Sequence, residues 1–522
     1  MRTYIKKFEN ESEYAIFVNS SGFVTPNVSA WKTNPSKAEV NFNKTRPYVE
    51  LPYLTFVAEE ANSTVKLNRV GSATTLSNAN LQYSTDNGET WNDYTFEQQG
   101  AAVFSGEVIT LSDIGDSVKF KGTNNGFASD QSNNYHTFVM TGKISASGDL
   151  TSLINNTGGD CEMSNYCFSF LFSGCTSLVS PPNLPSKVLS QYCYYGLFFG
   201  CSSLLTAPLL PSTNLSNFCY QSMFRGCTSL KVAPELPATT LFSFCYSYMF
   251  SACTSLEIAP NLLAPIVKDA SYNFMFVGCT SLTTAPQISA TSVGASSCYA
   301  MFADCTSLTI APELPATSLG PSCYGYMFAR CTNLVQGPSV LPATVLCGSC
   351  YTYMFNNCES LETAPEILAT TVANSCCNTM FSGCKSLTTA PSILAATTLA
   401  SNCYYAMFDS CSSLTEAPQI KATTLSGYCC GSMFRNCTSL TTAPELLSTT
   451  LVNNCYKEMF KNCSNLGYIK AMFTTKPTTS YTEEWVSGVK STGTFVKNSA
   501  ATWNVTGTYG VPSNWTIETA SE

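Results

Sequence analysis

Across residues 161–470 the apolar positions recur in one fixed frame. In "MFRGCTSLKVAPELPATTLFSFCYSYMFSACTSL", Met223 to Leu256, nearly the same sentence occurs twice, 26 residues apart. With the cysteine of GCTSL as position 0, the frame falls at Cys175, Cys201, Cys227, Cys253, Cys279, Cys305, Cys331, Cys358, Cys384, Cys411, Cys437 and Cys463, at nine intervals of 26 and two of 27. Phe stands at −3, Met or Leu at −4 and Leu at +3 in all twelve units, a second Cys at −8 in ten, and Ala-Pro at +6 and +7 in most. At 100° per residue, positions −8, −7, −4, −3 and 0 share one arc of ~140°, while −6, −5, −2 and −1 point away. The spacing predicts a short helix, CYxxMFxxC, with one buried face, and after it a brief extended segment, TSLxxAPxLP. Such a unit cannot bury itself, but stacked units can. Parallel strands joined by right-handed crossovers would give a curved solenoid of roughly 55 to 60 Å on its concave side. Proline removes a ladder donor, so the strands are expected to be very short with Pro at their ends.

Outside the repeats the period changes. Between residues 47 and 154, runs such as YLTFVAEE, STVKLNRV, VITLSD and SVKFKGT alternate apolar and polar positions between Gly, Asn and Asp clusters. They predict a small antiparallel, immunoglobulin-like β-sandwich. Within it STDNGETW, Ser84 to Trp91, resembles the Asp-box of sialidase-type propellers, a motif that braces a hairpin and carries no catalysis. Residues 1–46 read as an attachment segment, with a short helix around Phe8 to Phe17 and then an extended piece marked by Pro26 and Pro47. Residues 471–522, rich in Trp, Thr and Gly, leave the repeat and are expected to cap it. The fold class is thus α+β: a sandwich, then a solenoid over 155–470, then a cap.

Composition narrows the function. Charged residues make up 11% of the chain and the net charge is −8, with no cluster of Lys and Arg, which argues against nucleic acid. No run reaches the roughly 18 apolar residues of a membrane span, and the opening lacks the apolar core of a secretory signal. His136, outside the repeats, is the single histidine. No Ser-His-Asp or Cys-His set is therefore available within the repeats, and the Cys spacing is not that of zinc ligands. No catalytic residue, cofactor or metal is expected. The recurrent carboxylates Glu235, Glu313, Glu366 and Glu445 at +8 read as a solvated stripe. The 27 cysteines read as small buried residues stacked on their counterparts; an i, i+8 pair on a helix lies ~12 Å apart, beyond bridging distance, while links between rungs are geometrically possible but have no evident choice of partner. Ser271 replaces one without visible compensation, and a reduced core suggests assembly in a reducing compartment.

The units, as in YMFSACTSLEIAPNL with Phe250, Cys253 and Leu256, resemble the BspA-like leucine-rich repeats, whose pattern runs approximately A-F-x-x-C-x-x-L-x-x-I-x-I-P. Their period lies in the range of leucine-rich repeats. The Ala-Pro here departs from the apolar strand residue of that pattern. The resemblance implies a surface-displayed adhesion or interaction protein. The opening IKKFENESEYAIFVNSSGFVTPNVSAW resembles N-terminal segments of structural proteins of phages that infect gut anaerobes. Together these resemblances imply a non-enzymatic virion appendage, made in the host cytoplasm and placed on the virion surface. Its start would bind virion structural proteins, its sandwich would space or oligomerise it, which admits a homo-oligomer, and its repeats would bind host-surface or mucosal protein or glycan. The alternatives are a bacterial cell-surface adhesin and a structural fibre without ligand. The candidate ligand-binding residues are the outward aromatics Phe170, Tyr248, Phe274, Tyr326 and Tyr353 at −5, with Tyr195 and Tyr405 at −6. Shielding by neighbours or contact with a partner subunit would explain the same residues.

Overall fold

The computed structural model describes residues 17–19, 22–24, 52–71, 76–99, 103–130 and 133–520, with side chains from residue 52 onward. Strands β1 (Phe17–Asn19) and β2 (Gly22–Val24) pair as an antiparallel hairpin. The rest of the expected attachment segment, including the helix before Phe17, lies outside the described residues.

Two sheets follow. One runs in the order β13 (Leu178–Ser180), β12 (Ile144–Ser147), β3 (Leu54–Ala58), β10 (Ser117–Gly122), β5 (Leu81–Ser84), β6 (Asn92–Asp93). The other runs β11 (Tyr135–Thr141), β4 (Ser63–Val70), β8 (Val103–Gly106), β7 (Phe96–Gln98), with β9 (Ile109–Leu111) also on β4. Burial alternates strictly along β3 and β4, because successive side chains point to opposite faces. Phe56 of the first sheet meets Phe138 of the second edge-on at 4.9 Å, so the sheets share one core. The STDNGETW segment forms the turn of the β5–β6 hairpin. Ser84 Oγ donates to Asp86 Oδ1 at 2.6 Å, the Thr90 amide donates to the same oxygen at 2.9 Å, and Trp91 Nε1 donates to the Gly88 carbonyl at 3.1 Å. The hydrogen bonds from Ser84 and Thr90 hold the Asp86 carboxyl well below its usual range.

The sandwich is continuous with the repeats. β13, in the first repeat, pairs parallel to β12, and the Phe138 amide donates to the Leu171 carbonyl at 2.8 Å. Phe138 stacks on Phe172 at 5.3 Å and Phe127 on Phe168 at 5.8 Å. Strand β11 therefore lends the ring that a preceding repeat would supply, and the sandwich covers the first apolar layer of the solenoid. The short helix α1 (Ser152–Asn155) completes the junction.

The solenoid is mostly β and turn. Among the described residues the only helices are α1 and α2 (Thr479–Thr482), and both lie outside the repeats. The expected CYxxMFxxC helices are instead chains of tight turns, which corrects the α+β reading. In the unit of Cys253, the amides of Tyr246, Tyr248, Phe250 and Ala252 donate to carbonyls of the next rung, while those of Ser247, Met249, Ser251 and Cys253 close turns onto the residue three before. Lateral and local bonds alternate residue by residue. Positions −9, −5 and −1 take positive φ throughout, as in Phe244 (60°), Tyr248 (56°) and Ala252 (58°). The physical reason is spacing. Helices pack 8–10 Å apart, whereas strands stack at ~4.8 Å. A flat turn segment can keep the strand spacing, and the Phe column does so at 5.3–5.7 Å with near-parallel rings.

On the opposite side the strands shrink to two-residue pairs such as Ile266–Val267 with Ser292–Val293, and to single bridges such as Val232 with Ile258. Proline at +7 follows the +5 bridge, so the Ala233 amide just before Pro234 still donates across the rungs at 3.0 Å. The 27-residue intervals keep register because the added residue falls after the proline: Leu341 pairs with Ile367 although it stands one place later in its unit.

The cysteines at position 0 have a donor role that the packing reading missed. Each of the twelve thiols donates to the carbonyl of the Phe at −3 of the preceding rung, or of Phe138 at the junction, at 3.0–3.2 Å. Burial pushes the Cys253 thiol up to about 12, so it stays protonated and able to donate. A second interior column at −7 stacks Phe168, Tyr194, Tyr220, Tyr246 and Tyr272 at 5.7–6.0 Å. Cys298, Cys377 and Cys430 stand where that column would have rings. At the far end Trp485 lies under Phe460, buried, with Nε1 donating to the Gly510 carbonyl at 2.9 Å. Strands Tyr468–Ala471, Thr494–Lys497 and Thr516–Thr519 extend the parallel ladder past the last repeat.

Candidate functional surface

The turn segments place −9, −6, −5, −2 and −1 on one long face. All seven predicted residues, Phe170, Tyr195, Tyr248, Phe274, Tyr326, Tyr353 and Tyr405, lie there, and all seven are half-buried rather than free-standing. Tyr248 stacks on Phe274 at 4.6 Å and Tyr326 on Tyr353 at 4.6 Å, nearly parallel in both cases. Tyr299, which the sequence reading did not single out, joins the two pairs at 5.5 Å to Phe274 and 5.3 Å to Tyr326. The result is one continuous run from Tyr248 to Tyr353. Beneath it Ala300, Ala303 and Ala329 form a small buried cluster of their own, so the rings rest on a dry floor. Phe170 meets Tyr195 edge-on at 5.0 Å, apart from that run, and Tyr405 touches Tyr428 at 6.4 Å near the far end.

The ring arrangement limits the chemistry. In the Tyr248–Phe274 and Tyr326–Tyr353 stacks the facing ring faces cover one another, so these pairs present mainly edges and hydroxyls, while Tyr299 stands at 62° to Phe274 and 47° to Tyr326. Burial raises the phenols of Tyr195, Tyr248, Tyr299 and Tyr326 above their ordinary value, which keeps them protonated donors at neutral pH. The Arg225 guanidinium lies 5.1 Å from the Tyr248 ring centre and supplies a cation at one end.

A second stack was missed. At −9, Tyr166, Tyr192, Phe218 and Phe244 follow one another at 4.4–4.8 Å. The recurrence of aromatics at −9 in four consecutive units was the available signal, but −9 precedes the CYxxMFxxC segment read as the helix. The last units of the same face carry charge instead. Arg435 bridges Asp409 at 2.7 Å and Glu458 at 3.2 Å, and Lys461 pairs with Glu458 at 3.1 Å and with Glu484.

The +8 carboxylates are mostly engaged. Glu313 accepts from the Ser339 amide and hydroxyl, Glu366 accepts likewise from Ser392, and Glu445 pairs with Lys470 at 2.8 Å. No two of them share a cleft. Among the described residues no group of His, Cys, Asp or Glu is arranged to hold a metal ion, and no helix is long and apolar enough to cross a membrane.

The geometry defines a mostly-β repeat solenoid with an aromatic turn face. No protein-family model matches the chain, and no curated protein does. Among solved structures the chain is similar to a leucine-rich repeat protein from Bacteroides ovatus ATCC 8483, at 19% identity and a TM-score of 0.36, over 73% of this chain and 94% of that one.

Proposed function

We propose that the chain is a non-enzymatic binding protein of the BspA-like leucine-rich-repeat type, with twelve units, whose turn face is displayed to a macromolecular partner. The observation that carries this reading is the run Tyr248–Phe274–Tyr299–Tyr326–Tyr353: five adjoining rungs spend large aromatic side chains on a surface that the core does not need. Because the two stacked pairs cover their facing ring faces, protein is favoured over the sugar-face stacking that free rings would allow. A host-surface or mucosal protein is the expected partner. The setting we infer is a virion appendage attached through residues 1–46. The second setting is a bacterial cell surface, and the third role is that of a structural fibre without ligand.

The test uses the full chain immobilised against mucin and host-surface protein fractions, beside the double variant Tyr326→Ala/Tyr353→Ala. Saturable binding by the parent that falls at least tenfold in the variant supports the reading. Equal binding by both, or none by either, removes the turn face as a binding surface. Mass spectrometry separates the settings, since the chain should purify with capsid proteins from virions and not with cell envelopes.

A further inference from the structure

Where the sandwich meets the first turn of the solenoid, the chain encloses a cleft of about 410 Å³. Its rim carries Ser77, Asn78, Asn80, Asn125 and Ser164, and among the described residues no Asp, Glu, Lys or Arg lines it. His136 lies in its wall. The imidazole is wedged between Phe96 and Phe127, at 5.9 and 5.6 Å, and is 1% exposed. Its Nδ1 stands 3.1 Å from the Phe127 carbonyl oxygen, which can only accept, so Nδ1 carries the proton and donates. Burial lowers its pKa to about 4, and the ring is neutral at pH 7. Nε2 is then a bare acceptor, buried and without a partner. Arg69 lies opposite His136 in the β4–β11 register, and its guanidinium donates to the carbonyl of Leu76, another lining residue, at 2.8 Å. Arg69 Nε and Nη2 are likewise buried and without a hydrogen-bond partner, so the pair disfavours a cation and suits a group that both donates and accepts, as a hydroxyl does.

We propose that this cleft binds a neutral polyhydroxylated ligand, a hexose or N-acetylhexosamine residue, one hydroxyl of which donates to His136 Nε2 while the rim carboxamides of Asn78 and Asn125 hold its neighbours. The site is separate from the turn face and does not depend on it. A buried acceptor that lacks a donor is costly, and a ligand hydroxyl reaching it recovers that cost where a methyl group would not.

His136 is the only histidine in the chain, so selective ¹⁵N-histidine labelling of the full protein gives a single imidazole to follow. Glucose, galactose, mannose, fucose and N-acetylglucosamine are titrated in turn. The expected result is a saturable upfield movement of the Nε2 resonance with at least one sugar, with the ring still neutral. Calorimetry with that sugar should show at least a tenfold loss of affinity in His136→Phe. Should that variant fail to fold, Asn78→Ala, at an exposed rim position, must weaken the same binding several-fold. An Nε2 resonance that none of the five moves, or that drifts without saturation, overturns the proposal. Binding that Asn78→Ala leaves unchanged also overturns it, because the sugar then sits elsewhere.

Discussion

The thiol of Cys253 donates to the carbonyl oxygen of Phe224, 3.0 Å away and one rung earlier. That carbonyl also accepts the Cys227 amide of its own turn, so a single oxygen closes a turn and ties two rungs together. The side chain at position 0 must be small enough for the rung spacing and must carry a hydrogen.

Substitution at Cys253 should separate these two demands. Cys253→Ser keeps a donor and is expected to cost about 1 kcal/mol or less, whereas Cys253→Ala, which loses donor and volume, should cost about 2 kcal/mol. Cys253→Val should be no better than Ala. The measurement is the urea unfolding midpoint, and Val tolerated as well as Ser would reduce the thiol to filler.

Thiol reactivity follows from burial. Cys161 and Cys347 are half-buried and every other cysteine is buried. Burial raises the Cys161 thiol as well, so even that group should react slowly at neutral pH. Titration of the native protein with a thiol reagent should label at most these two, and all 27 only after denaturation. Rapid native labelling of many more would mean that the interior is not sealed.

Backbone strain at −1 predicts a gain. Ala252 holds φ 58° where Gly278 holds 73° in the next rung. An L-residue there costs roughly 1–2 kcal/mol, and glycine gives back about half of that in unfolded-state entropy. Ala252→Gly should therefore stabilise the chain by about 0.5–1 kcal/mol in thermal or urea unfolding, and a destabilised variant would contradict the turn geometry.

His136 predicts a pH dependence with a definite sign. Its folded pKa is lowered to about 4, first by burial, against an ordinary value near 6.5. Between these values the unfolded chain binds the proton and the folded chain does not, so its contribution is present above pH 6.5 and is lost as pH falls toward 4. The loss is on the order of 3 kcal/mol. Urea midpoints of the parent should fall between pH 7 and 4 by more than those of His136→Phe; equal slopes would place the imidazole in contact with water.

Much of the interior was legible from particular residues. Phe at −3 and Leu at +3 in every unit predicted which side chains stack, and the structure buries them in those columns. The STDNGETW hairpin could be read because each of its bonds is local, from Ser84, Asp86, Thr90 and Trp91 to atoms a few residues away. The turn segment was misread because −8, −7, −4, −3 and 0 suit a helix as well as a turn that repeats every four residues. The Gly, Asn or Asp at −1 in most units, as at Gly174, Gly226, Asp304 and Asn436, was the signal for positive φ. On the surface, Tyr299 stands at −6 like Tyr195 and Tyr405, and only the fold shows that it bridges Phe274 and Tyr326 at −5.

By itself the sequence determined the period, the rung register and the identity of the buried columns, since a side chain repeated every 26 or 27 residues meets its own copy once the units stack. Only the tertiary structure decided how each rung turns and what closes the solenoid's first end. Half of the turn amides reach a neighbouring rung instead of their own, and Phe138, from a strand with no repeat pattern, stacks under Phe172. Both are partnerships between distant parts of the chain, and local spacing carries no record of them.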